Sequence, residues 1–106
     1  MDAVTFLYAT AQNEKIAEEI SRQLVENGDA ACVNMIPAVK SFYCWEGRIE
    51  TTAEVVLIVK TMTSLSDRAR ATILAAHPYE NPAVAAMMID EAHSFAAFCN
   101  WIRKPD

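Results

Sequence analysis

The chain holds 106 residues, 53% of them hydrophobic and 22% charged, which points to a single globular domain over 1–106 with enough length to bury a core without staples. Two glycines and four prolines leave little room for disorder, and a net charge of -5 with nine scattered Lys and Arg excludes a nucleic-acid footprint. Apolar runs such as Val55 to Val59 fall far short of the roughly 20 residues of a membrane span, and Met1-Asp2-Ala3-Val4 lacks the basic start of a secretory signal, so a cytoplasmic chain with no membrane partner is expected.

Ala3 to Ala9 reads as a first strand, because the β-formers Val4, Thr5, Phe6 and Tyr8 dominate it. From about Asn13 to Asn27 the period changes. Ile16, Ile20 and Leu24 recur every four residues, Ala17 and Val25 widen the stripe, and Glu18 is placed to pair with Arg22 on the wet side of a helix. Gly28 follows the stripe, where a left-handed cap favours glycine. Ala30 to Phe42 and Arg48 to Thr61 are strand-like, and Tyr43-Cys44-Trp45-Glu46-Gly47 between them reads as a hairpin with Gly47 at a special φ. Pro37 marks a bulge or edge point in the first arm. A second helix runs from about Leu65 to His77, with Ser64 and Asp67 spaced as a capping box and Pro78 blocking continuation. Ala83 to Asp90 is a fourth strand whose small apolar residues imply burial. Ser94 then caps a last helix that carries Phe95, Phe98, Cys99 and Ile102 on its apolar face.

The order βαββαβα is the split βαβ pattern of an α+β ferredoxin-like fold, an antiparallel sheet with helices on one face. Hairpin strands of about 12 residues reach ~40 Å against ~23 Å for the first strand, so the hairpin overhangs the sheet by roughly 17 Å. Its tip carries Phe42, Tyr43, Trp45 and Ile49, an apolar patch too large for a monomer. Unpaired edges with an apolar tip predict strand pairing between copies, and a ring of identical contacts closes as a cyclic oligomer.

His77-Pro78-Tyr79-Glu80-Asn81-Pro82 sets an imidazole, a phenol and a carboxylate between prolines that stiffen the backbone. His77 serves there either as a metal ligand or as a polar helix terminus. Lys60, ending an apolar strand, either pairs with a carboxylate such as Glu80 or guards an anion-binding cleft. Tyr43, Trp45 and Tyr79 line a ligand pocket or anchor an interface. Met87 and Met88 alternate across a strand, which favours core filling over a methionine copper box. Cys32, Cys44 and Cys99 lack Cys-x-x-Cys spacing and read as free thiols: Cys32 and Cys99 as core residues, Cys44 as an exposed soft ligand or intersubunit contact. Neither a glycine-rich phosphate loop nor a His-x-x-x-His helix nor a Gly-x-Ser-x-Gly elbow occurs, so binding is expected and not catalysis.

Four segments stand in the order found in the CutA family of divalent-cation tolerance proteins, which the chain resembles over nearly its whole length. They are Ala30-Ala31-Cys32-Val33-Asn34, Trp45-Glu46-Gly47-Arg48-Ile49-Glu50, Ile58-Val59-Lys60-Thr61 and the His77 to Pro82 elbow. The resemblance implies a ferredoxin-like homotrimer, similar in architecture to PII signalling proteins, connected with tolerance to copper and other divalent metals. Members with a proposed copper site carry a Cys in the turn after the first strand and a His directly before that of the His-Pro-Tyr motif. Those places hold Ala9 and Ala76 here, so of such a set only His77 is retained. The family's usual glycine after the strand-two proline is replaced by Ala38, which tightens a bulge.

The expectation is a non-enzymatic cytoplasmic homotrimer with no obligatory cofactor, binding Cu2+ or another divalent cation through His77 and Glu80. Lys60, Tyr79 and Trp45 then line a cleft between subunits, and Tyr43, Trp45 and Ile49 form the interface. Two other readings stand beside it: a PII-like signalling trimer that senses a small molecule, such as an anionic metabolite, without a metal role, and a scaffold for an unknown protein partner.

Overall fold

Alternation along the first strand decides how the layers stack. The computed structural model describes residues 2–78 and 80–106. In chain order the elements are β1 (Val4–Ala11), α1 (Glu14–Glu26), β2 (Cys32–Trp45), β3 (Arg48–Met62), α2 (Ser66–Ala76), β4 (Val84–Met88) and α3 (Ala96–Arg103), with short 3-10 turns at Thr63–Leu65 and Glu91–His93. The strands form one antiparallel sheet in the order β2-β3-β1-β4, the expected α+β ferredoxin-like arrangement. Leu7, Ala9 and Ala11 of β1 point to one face, where with Leu57 and Val59 they pack on Ala17, Ile20 and Leu24 of α1 and on Ala69 and Ile73 of α2. Each fully buried Leu or Ile there contributes about 1.5–3 kcal/mol. Val4 and Phe6 point the other way and meet Cys99 and Ile102 of α3. The two crossover helices thus share a face as the topology requires, and the terminal helix adds a cover to the opposite one.

Local chemistry accounts for most boundaries. Asn13 caps α1 by accepting the Ile16 N–H at 2.9 Å, and the chain leaves the helix through Gly28 at φ +74°. Glu46 and Gly47 both take positive φ, 50° and 78°, so they form a two-residue turn whose twist matches the strands. The hairpin ladder therefore runs on through Tyr43, Cys44 and Trp45, which pair with Glu50, Ile49 and Arg48, where the sequence suggested a five-residue loop.

Three expectations are overturned. The Ser64–Asp67 capping box does not form, because the Ser64 N–H and hydroxyl are both taken by the Asp2 carboxylate, and a 3-10 turn precedes α2 instead. Ser94 does not cap α3; its hydroxyl donates to the Asp90 carbonyl at 2.7 Å. β4 is not buried. It is an edge strand, and Met87 and Met88 are 39% and 73% exposed, so neither fills the core. On α3 only Cys99 and Ile102 are buried, while Phe95 and Phe98 stay exposed.

Candidate functional site

β3 is longer than β1, and that mismatch creates the site. β1 pairs with Val55 to Met62 only, so residues 48–54 of β3 have β2 alone as a partner and project with it beyond the sheet. Between this projecting hairpin, β1 and the segment entering β4 lies a groove of about 920 Å³. Tyr8, Phe42, Tyr43 and Trp45 supply its aromatic walls. Glu50, Glu54 and Glu80 supply carboxylates, and Asn81 an amide. The hydroxyls of Tyr43 and Thr52 share a hydrogen bond of 3.1 Å across the hairpin. Among the described lining residues there is no Lys, Arg or His. Of the sequence candidates, the groove gathers Tyr43, Trp45 and Glu80; Tyr8, Glu50 and Glu54 were not foreseen. Period-2 alternation places Glu50 and Glu54 on one side of β3, but their facing Tyr8 depends on the β1–β3 register, which no local signal specifies.

His77 stands just behind the groove. It ends α2 in extended backbone, φ -86° and ψ 132°, as the following Pro78 demands. Its Nε2 lies 2.7 Å from the Thr10 carbonyl, and since a carbonyl can only accept, Nε2 carries the proton and donates. The helix-end role read from sequence is therefore directed at β1. Tyr79 lies outside the described residues. Among those described, no group of three His, Cys, Asp or Glu side chains is arranged to hold a metal ion. Within one chain the described residues do not make a metal centre.

Lys60 departs from the expected pairing. It does not line the groove, and among the described residues it makes no ion pair with Glu80. Its register places it between Phe6 and Cys32, and its Nζ sits 5.5 Å from the centroid of the Phe98 ring, a cation–π contact with α3. Ile49 is 75% exposed and lies across from Cys44, on the hairpin face opposite Trp45, which is itself 61% exposed. Each face of the hairpin thus carries an exposed apolar side chain near the tip.

This fold and hairpin have known counterparts. Over residues 5–105 the chain matches the protein family described as CutA1 divalent ion tolerance protein. The chain belongs to the CutA1 family. The divalent-cation tolerance protein CutA of Archaeoglobus fulgidus is 39% identical over 97 residues, 92% of each chain. Protein CutA of Homo sapiens is 37% identical over 102 residues, 96% of this chain and 56% of that protein, so the chain spans about half the length of the mammalian relatives it matches. Among solved structures, the PII-like protein CutA of Nostoc sp. PCC 7120 superposes with a TM-score of 0.83 at 32% identity, covering 92% of each chain. Ala9 and Ala76 are well apart in environment: Ala9 is fully buried against the helices, and Ala76 is exposed at the end of α2.

Proposed function

We propose that this CutA-family chain works as a non-enzymatic, cytoplasmic homotrimer in the response to divalent metal ions. The observation that carries the assembly is the projecting hairpin, which exposes Phe42, Trp45 and Ile49 beyond the sheet while, among the described residues, no strand pairs with the outer edges of β2 and β4. An edge and tip of this kind are stable only when covered, and a head-to-tail contact between copies closes as a ring. Light scattering should report roughly 35 kDa, three chains of 11.8 kDa; an 11.8 kDa particle overturns the reading. The metal role is supported by the names of the relatives. His77 and Glu80 provide too few donors for a tight site, since such sites use three or four, so an ion such as Cu2+ needs ligands from more than one copy. Calorimetry with Cu2+ should show weak binding that His77→Ala removes, with the fold checked by circular dichroism. Tight binding that survives the substitution places the ligands elsewhere.

A second reading, a PII-like trimer that senses a small molecule, is favoured by the groove itself, whose volume suits a metabolite better than a bare ion.

A further inference from the structure

The chain leaves α1 through a glycine, and the residue before that glycine is an asparagine. An asparagine side-chain amide is open to attack by the backbone nitrogen of the next residue, and glycine, with no Cβ, leaves that nitrogen uncrowded. Asn13, Asn34, Asn81 and Asn100 precede Glu14, Met35, Pro82 and Trp101, whose side chains or missing N–H obstruct the attack. Only Asn27-Gly28 has the open sequence, and both of its residues are exposed.

The fold holds this pair in an unreactive shape. Asn27 ends α1 in helical backbone, φ -80° and ψ -5°, whereas closing a ring onto its side chain needs ψ turned far from the helical value. The Gly28 N–H is engaged by the Val25 carbonyl at 3.1 Å, and the Asp29 N–H reaches back to the Leu24 carbonyl at 2.9 Å. These two bonds make a Schellman cap. Reaction in the folded chain therefore waits for the last turn of α1 to open, and helix ends open locally far more easily than a whole domain unfolds. The turn lies beside Thr61, at the end of the sheet away from the hairpin, which projects beyond Ala11 and Val55, so the proposed contact at the hairpin tip does not cover it.

We propose that Asn27-Gly28 is a self-modification site gated by this cap. When the turn opens, the Gly28 nitrogen bonds to Asn27 Cγ, the Cγ–NH2 bond breaks, and ammonia leaves with the proton that the Gly28 nitrogen gives up. Water then opens the resulting succinimide at one of its two carbonyls and yields aspartate or isoaspartate. Neither product fits the cap. Isoaspartate lengthens the backbone by a methylene, which pulls the Gly28 and Asp29 N–H groups off their carbonyls and disturbs Asp29, buried with its Oδ1 2.8 Å from Arg68. Aspartate puts a negative charge beside Glu26 at the negative end of the helix dipole, where the last turn of α1 has no basic residue. The modification thus marks and loosens chains whose α1 has opened.

Incubating the full-length chain near neutral pH, folded and unfolded in urea, tests the proposal. An isoaspartyl methyltransferase with labelled S-adenosylmethionine reports isoaspartate, and peptide mass spectrometry assigns its position. Label at position 27 is expected in both samples, at a rate about ten-fold or more lower in the folded one. Asn27→Gln should abolish it, because closing a larger ring is slower; the wild-type peptide map stands if that variant fails to fold. Asn27→Asp, which is one of the two products, should unfold at a lower urea midpoint than wild type, by a gap that narrows as salt is added. No label at position 27 in the folded chain, equal rates in the two samples, or an Asn27→Asp midpoint equal to wild type would each overturn the proposal.

Discussion

Asp29 shows how much one buried carboxylate can ask of its neighbours. It is 4% exposed at the entry to β2, and its carbonyl accepts the Thr61 hydroxyl at 2.6 Å. Its Oδ1 lies 2.8 Å from Arg68 Nη2 but outside hydrogen-bonding alignment, so the charge is balanced without a directed bond. Arg68→Ala leaves that oxygen buried and uncompensated. The expected loss is about 1–3 kcal/mol by urea unfolding, less than for a fully buried pair because Arg68 itself is largely solvated. An unchanged midpoint would show that water reaches Asp29. Glu91 makes the matching case at the other end of the sheet: its carboxylate accepts the Val4 N–H at 3.0 Å and Arg103 Nη1 at 2.7 Å. The backbone bond first, and the Arg103 bond second, hold its pKa below the ordinary 4.5. A carboxylate with a lowered folded value stabilises the fold above its unfolded value and loses that contribution as pH falls through the folded one. Glu91→Gln should therefore flatten the acid side of the stability profile below about pH 4.5, read from unfolding midpoints at several pH values. An acid limb identical to wild type would assign it to other groups.

At the scale of elements, the hairpin carries its own strain. The ladder shifts register between Ile36 and Val39, and Ala38 within that bulge takes φ 59°. A left-handed alanine costs about 1–2 kcal/mol, whereas glycine there costs only the extra ~0.4–1 kcal/mol of unfolded-state entropy. Ala38→Gly should thus stabilise the protein by about 0.5–1 kcal/mol. Gly47→Ala should do the reverse by about 1 kcal/mol, since Gly47 sits at φ +78° with nothing near its absent Cβ and only backbone strain is at stake. Chemical denaturation at one fixed protein concentration compares both; a destabilised Ala38→Gly would mean that the alanine methyl packs on something that matters more than its φ.

For the whole molecule the governing fact is shape. The chain extends 46 Å along its longest axis against 28 and 22 Å across, an elongation produced by the hairpin projecting past β1. Trp45 crowns that projection, and in the proposed trimer Trp45→Asp places a charge at a contact between copies. The variant should keep the far-ultraviolet spectrum of the wild type while its light-scattering mass falls from roughly 35 kDa towards 11.8 kDa. A full-mass particle would exclude the tip from the contact between copies.

The sequence by itself determined the elements and their order. Ile16, Ile20 and Leu24 mark α1, Gly28 and Gly47 mark its exit and the hairpin turn, and Pro78 stops α2, because propensity, capping and period act over a few residues and leave a local trace. The family was legible for the same reason, through short segments read one after another. What only the tertiary structure decided were the matters of register, edge and competition. Asp2 reaches 62 residues along the chain to take the Ser64 N–H that a capping box would have used. An apolar β4 stays exposed because it is a sheet edge, and nothing in Val84-Ala85-Ala86-Met87-Met88 says which strand is last. Lys60 finds Phe98 in place of Glu80, and Tyr8 meets Glu50 and Glu54 across the groove, because pairing β1 against β3 fixes every neighbour at once. Register is a long-range quantity: a slip of one residue turns each side chain to the opposite face, and the energy that forbids the slip comes from the packed core as a whole.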